Sequence, residues 1–152
     1  RSAGKAGGAS RVWCDWSVAP YLELGAGRPV NVLLGTDNNL DQEPGSDRPN
    51  LVPAGTSNSY ATRYGSFAVP ASGVAGNLGR NAFLGPGYAS FNLRLQRDIR
   101  VREALDCQFI VESFNLLNRT NVRSVNPNYQ RAGEALSAFD PRQIQLGVRL
   151  RF

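Results

Sequence analysis

The sequence predicts an all-β fold, an antiparallel transmembrane β-barrel fragment of about five strands with long outer loops and short periplasmic turns. Three observations predict it. The last ten residues, 143–152, alternate between polar and apolar side chains, and about ten residues suffice for a tilted strand to cross a bilayer. No segment reaches the roughly 18 consecutive apolar residues of a membrane helix. Long and short connections also alternate along the chain, as in outer-membrane barrels.

Composition narrows the class of protein. The 152-residue chain contains 16 Gly, 9 Pro, no His and no Met, and has a net charge of +5. Its arginines are dispersed, so nucleic acid is not an expected partner. Because the sequence starts with Arg1 rather than Met, we expect it to be part of a longer protein. A flexible leader is predicted at 1–10, and residues 11–152 are predicted to form one barrel region.

Two strands are predicted in the amino-terminal part. The first, from Val12 to Leu24, has apolar residues at alternate positions and is interrupted by Pro20, which lacks a backbone donor. Residues 25–28 contain two glycines and predict a tight turn. A second strand follows from Pro29 to Leu34. Residues 35–87 show no sustained period and are predicted to be a long outer loop.

Two further strands follow this loop. Residues 90–101 alternate again, and Arg97 alone interrupts the apolar row, so we expect its long side chain to reach the membrane interface. A short turn at 102–104 leads into a strand from Leu105 to Glu112. A second long loop, about 116–142, precedes the closing strand.

The closing strand divides its side chains between two faces. The apolar set, which is predicted to face lipid and to act as the assembly signal, is Ile144, Leu146, Val148, Leu150 and Phe152. The set predicted to face the barrel lumen is Gln143, Gln145, Arg149 and Arg151.

The connections set the direction of the strands. Counted back from the closing strand they are long, short, long and short, which places Phe152 at the periplasmic rim. Since about eight strands are the fewest that close such a barrel, five strands are expected to be its last part. Alone, they are predicted to form an open, curved antiparallel sheet with both edges exposed.

Several motif segments occur together in a fixed order. They are Gly27-Arg28-Pro29, Asp47-Arg48-Pro49-Asn50, Gly79-Arg80-Asn81 with Gly85-Pro86-Gly87, Phe114-Asn115-Leu116-Leu117-Asn118, and Pro141-Arg142-Gln143-Ile144-Gln145 before the terminal Phe152. Over residues 11–152 this pattern resembles the carboxy-terminal end of a TonB-dependent outer-membrane receptor. The variety it resembles is the Oar-like group, whose full proteins carry a carboxypeptidase-regulatory-like domain ahead of the plug.

The resemblance implies a role and a set of partners. Such receptors take up a ligand across the bacterial outer membrane through a barrel of about 22 strands that is plugged by an amino-terminal domain. The implied partners are outer-membrane lipid, the barrel assembly machinery that recognises the Phe-ended strand, TonB through upstream segments, and a transported ligand. Siderophore, vitamin, oligosaccharide and peptide are all compatible with the sequence.

Other site chemistries are weaker. Asp37, Asn39, Asp41 and Glu43 are spaced like the start of a calcium loop, but the required Gly and bidentate Glu are missing, so a solvated loop is favoured over a metal site. The sequon 118–120 is interpreted as a brace for a strand end through side-chain amides rather than as a glycosylation site. Cys14 and Cys107 are isolated, and neither metal nor cofactor is expected.

No enzymatic activity is expected. Without His, neither Ser-His-Asp nor Cys-His catalysis is possible within the chain, and its carboxylates are not grouped with a nucleophile. The alternative function is a secreted or surface β-sandwich that binds glycan or protein, in which the apolar rows would face an internal core. Alternation of loop lengths favours the barrel, because a sandwich does not require it.

Overall fold

The computed structural model describes residues 16–102 and 105–152. The strands within these ranges are β1 Trp16–Gly25, β2 Pro29–Val30, β3 Asn50–Val52, β4 Ser59–Thr62, β5 Gly65–Ala68, β6 Phe83–Leu84, β7 Tyr88–Arg102, β8 Leu105–Phe114, β9 Val122–Val125, β10 Ala135–Ala138 and β11 Gln143–Arg151. In the described ranges, no helix is long and apolar enough to cross a membrane. The leader predicted at 1–10 and Cys14 lie outside the described residues.

The chain divides into two compact units. The first contains the residues up to Leu24 together with Ala89–Arg119 and Asp140–Phe152, and the second contains Gly25–Tyr88 and Thr120–Phe139. The first unit holds the long strands, whereas the second is built from the two long connections between them.

The long strands form one antiparallel sheet in the order β1-β7-β8-β11. β7 pairs antiparallel with β8, and β8 with β11. At one end of β1, Gly25 lies beside Tyr88, the first residue of β7, and at the other end Trp16 lies under the guanidinium of Arg97. Since the partner's residue number rises as that on β1 falls, β1 and β7 are also antiparallel.

This sheet confirms the all-β antiparallel class, and its three connections alternate in length, whereas the fourth, short connection predicted at 25–28 does not join strands of this sheet. The connections are long over 26–87, short at 103–104 and long over 115–142. β1 and β11 are the edge strands, each with one neighbour among the described residues, so the sheet is open as predicted. The strand count differs, because the described sheet has four strands rather than five.

The predicted turn at 25–28 and second barrel strand at 29–34 are wrong. Within 29–34 only Pro29–Val30 forms a strand, which pairs with β6 in the second unit, and Leu33 forms an isolated bridge with Asn128. A Cβ at Gly27 would lie 1.8 Å from the Gly85 carbonyl oxygen, so this glycine permits close contact between two segments rather than a hairpin. Val32 and Leu34, the apolar residues that mimicked a strand, are buried.

The long loops contain strands and a core of their own, which the absence of a period over 35–87 did not predict. The second unit contains the small sheets β2-β6, β3-β5-β4 and β9-β10. Its buried core consists of Val32, Phe67, Leu78 and Ala132, and Tyr64, Phe83 and Tyr129 pack against it. The rings of Tyr64 and Phe83 are stacked at 5.0 Å. These apolar residues come from strands of two to four residues and irregular segments, so no period revealed them.

Candidate functional site

One face of the four-stranded sheet is mainly apolar across three strands. Facing residues of antiparallel strands share a face, and the rows from β11 through β8 to β7 are Ile144–Ser113–Leu93, Leu146–Val111–Leu95, Val148–Phe109–Arg97 and Leu150–Cys107–Ile99. Leu146 is 79% exposed. The four apolar residues of β11 in these rows are all exposed. An exposed apolar surface marks a contact with a membrane or a partner, which is what the lipid-facing prediction requires.

The opposite face carries a polar ladder. Arg94 forms a salt bridge with Glu112 at 3.1 Å, and Arg100 with Asp106 at 3.2 Å. Between these two pairs, Gln108 donates a hydrogen bond to Asp98 at 2.7 Å. Exposed ion pairs of this kind contribute only about 0–1 kcal/mol each, so the ladder matters more as a charged surface than as a stabilising element.

The predicted lumen-facing residues join this polar ladder. Gln145 lies opposite Glu112, Arg149 opposite Gln108 and Arg151 opposite Asp106, while Gln143 starts the same row on β11. An open groove of about 450 Å³ is lined by Asp98, Arg100, Asp106, Gln108 and Arg151. The structure therefore separates the two predicted sets onto opposite faces, and which face meets lipid stays a prediction. Phe152 follows β11 and is fully exposed.

The segment after β8 is a clasp that joins three strand ends. Asn115, with φ of 49°, accepts a hydrogen bond from the Arg119 amide at 3.0 Å. Its side-chain amide donates to the carbonyls of Arg119 at 2.9 Å and Asp140 at 3.4 Å. Its own backbone amide donates to the Asn92 side chain on β7 at 2.8 Å. Asn115 is buried, so these bonds are shielded from water.

Asn118 and Arg142 complete this Asn115 clasp. The Asn118 side-chain oxygen accepts a hydrogen bond from the Arg142 amide at 3.0 Å, one residue before β11 begins. Asn118 also adopts positive φ, which Asn tolerates better than most residues. The prediction that amide side chains in this segment brace the end of a strand is confirmed.

The acidic loop uses its carboxylates internally. The Asp37 carboxylate accepts hydrogen bonds from the backbone amides of Leu40, Asp41 and Gln42 at 2.8, 3.2 and 2.9 Å. Such bonds order a loop without a cation. Across residues 16–102 and 105–152, no three His, Cys, Asp or Glu residues form a group that could hold a metal ion.

Other motif residues also brace the second unit. The Asp47 carboxylate accepts hydrogen bonds from the amides of Asn38 and Asn39. Asn50 accepts a hydrogen bond from the Asn77 amide at 2.9 Å, and a Cβ at Gly76 would lie 1.9 Å from the Arg48 carbonyl oxygen. These residues belong to a motif that is recognisable in the sequence. Their contact partners are distant in sequence, so the sequence alone did not predict the contacts.

Comparison with known proteins identifies the family. Residues 1–145 match the family described as outer membrane beta barrel domain. No curated protein and no solved structure matches the chain. The family match agrees with the open antiparallel sheet, its two faces and its alternating loops, and it favours a barrel over the β-sandwich alternative. The chain belongs to the outer membrane β-barrel family and is located in the bacterial outer membrane.

Proposed function

We propose that the chain forms the carboxy-terminal strands of a TonB-dependent, Oar-like outer-membrane receptor that takes up a ligand. The observation that carries this proposal is the polar ladder on one face of an open sheet whose other face is apolar. A barrel that encloses a polar interior and contacts lipid outside requires this division. The proposal is one of transport and includes no catalytic chemistry.

The two long connections support recognition of a ligand from outside the cell. They fold into a unit with its own buried core and several small sheets. A surface that is folded before the ligand arrives loses less conformational entropy on binding than a flexible loop does. We propose that this second unit contributes to ligand selection, while a plug and further loops of the full-length receptor determine which ligand is transported.

The closing strand supports recognition by the barrel assembly machinery. β11 is an edge strand among the described residues, and its apolar residues are exposed from Ile144 to Leu150. An unpaired strand edge can add a strand from a partner. We propose that β11 and Phe152 engage the assembly machinery before the barrel closes and that TonB acts through upstream segments.

The test uses the full-length protein that contains this chain. We expect it to bind the purified periplasmic domain of TonB and to show little steady conductance in a planar lipid bilayer, because a plug would fill the lumen. A matched variant that lacks the upstream TonB-contacting segment should lose TonB binding and retain low conductance. A permanently open pore without TonB binding would identify a passive channel and contradict the proposal.

A further inference from the structure

One charge interrupts the apolar face of the sheet. Among the side chains described for that face, Arg97 is the one that carries a charge. It lies directly opposite Phe109, which in turn lies opposite Val148. A guanidinium on a membrane-facing surface is costly unless it reaches polar groups. This position therefore needs a partner.

The protein holds Arg97 in place but leaves its donors incompletely used. The guanidinium carbon lies 5.3 Å from the centre of the Trp16 ring. This contact orients the cation, but a ring face does not replace a hydrogen-bond acceptor. The Nε atom is buried and has no hydrogen-bond partner in the described part of the chain. Nor does any salt bridge between described residues include Arg97.

We propose that Arg97 and Trp16 form a binding site for the phosphate headgroup of an anionic membrane phospholipid. The proposal rests on the barrel orientation of the proposed function, in which the apolar face meets lipid. A phosphate accepts two parallel hydrogen bonds from one guanidinium, and because Nε is buried these bonds would come from the two terminal nitrogens of Arg97. Indole rings favour the headgroup level of a membrane, and a long arginine side chain can extend along the surface towards that level.

The position of Arg97 within β7 indicates the membrane leaflet in which the bound phospholipid lies. Arg97 lies nearer to Arg102, at the short connection, than to Tyr88, at the long one. Short connections of outer-membrane barrels face the periplasm. The site is therefore in the periplasmic leaflet, and the phosphate belongs to a phospholipid there rather than to a lipid of the outer leaflet.

The experiment measures lipids retained by the full-length protein. The protein is placed in nanodiscs that contain equal amounts of phosphatidylglycerol and phosphatidylethanolamine, and the lipids that remain bound after detergent extraction are counted by native mass spectrometry. We expect the wild-type protein to be enriched in phosphatidylglycerol. Arg97→Gln should reduce this enrichment about tenfold, the loss expected for a charge-assisted hydrogen bond.

Three further variants test whether the enrichment in phosphatidylglycerol depends on Arg97 and Trp16. Arg97→Lys keeps the charge without the paired donors and should retain part of the enrichment, and Trp16→Leu should also lower it. Arg123→Gln is the matched control, because Arg123 stacks on Phe139 at 5.9 Å in the second unit, and it should leave the enrichment unchanged. A wild-type protein without lipid preference, or an equal loss in Arg123→Gln, would overturn the proposal. Since TonB has no part in this assay, failure here is distinguishable from failure of the transport proposal.

Discussion

Single glycines permit contacts in the second unit that any side chain would block. Gly27→Ala would place a methyl group 1.8 Å from the Gly85 carbonyl oxygen. The carbonyl belongs to the backbone and the methyl is fixed to Cα, so neither group can rotate away. We expect the substitution to lower the free energy of local unfolding by about 2–3 kcal/mol. Hydrogen exchange of the surrounding backbone amides through local opening should then be faster by about 30-fold or more. Gly45→Ala is the control, because nothing lies within 4 Å of a Cβ there. Equal exchange in both variants would contradict the contact.

Asn115 illustrates a single side chain that serves several strand ends. Asn115→Ala removes one accepted and two donated hydrogen bonds from a buried position with φ of 49°. We expect a loss of about 2–4 kcal/mol in unfolding free energy, measured as a lower urea midpoint of the full-length barrel in liposomes. Asn115→Asp keeps the acceptor for the Arg119 amide but turns a second carboxylate oxygen towards the carbonyls of Arg119 and Asp140 at a buried position, so it should lose at least as much. Leu117→Ala, in the same turn but 74% exposed, should change the midpoint little, and an equal shift would show that the clasp is not responsible.

At the scale of the element, alternation of polar and apolar residues predicts a strand correctly only when every second residue has the same environment. In β11 the period of two continues through the strand, and its two sets lie on opposite faces of the sheet as predicted. The same pattern at Val30, Val32 and Leu34 led to a wrong strand prediction, because Val32 and Leu34 are buried within the second unit instead of lying on one face of a sheet. A short apolar run cannot distinguish these cases. A long strand that has charged residues on one face and apolar residues on the other does identify a sheet with two different faces.

The two faces of β11 give a prediction for neighbouring residues of one strand. Leu146→Arg places a charge on the apolar face, whereas Gln145→Arg places it beside Glu112 on the polar ladder. If the apolar face meets lipid, Leu146→Arg should cost about 2–4 kcal/mol and Gln145→Arg almost nothing. Folded protein in isolated outer membranes, measured by its heat-modifiable mobility on gels, reports this difference. The reverse order would assign lipid to the opposite face.

At the scale of the whole molecule, the sequence predicts the all-β class, the antiparallel sheet and the alternation of long and short connections. It does not predict the second unit. The core residues Val32, Phe67, Leu78 and Ala132 are separated by up to a hundred positions and come from both long connections. Their assembly depends on tertiary contacts between segments without a period of their own. The motif glycines and Asn residues are recognisable in the sequence of the second unit, but only the structure shows what they contact.

The topology of the whole chain predicts which connections are reached from outside an intact cell. Gly45 lies in the first long connection, in open space, whereas Glu103 belongs to the short one. In the full-length protein with its native cysteines replaced by Ser, we expect Gly45→Cys to react with a membrane-impermeant maleimide on intact cells. Glu103→Cys should react only after the outer membrane is permeabilised, because short connections of such barrels face the periplasm. Labelling of Glu103→Cys on intact cells would reverse the orientation and move Phe152 to the outer rim. It would also move the Arg97 site to the other leaflet.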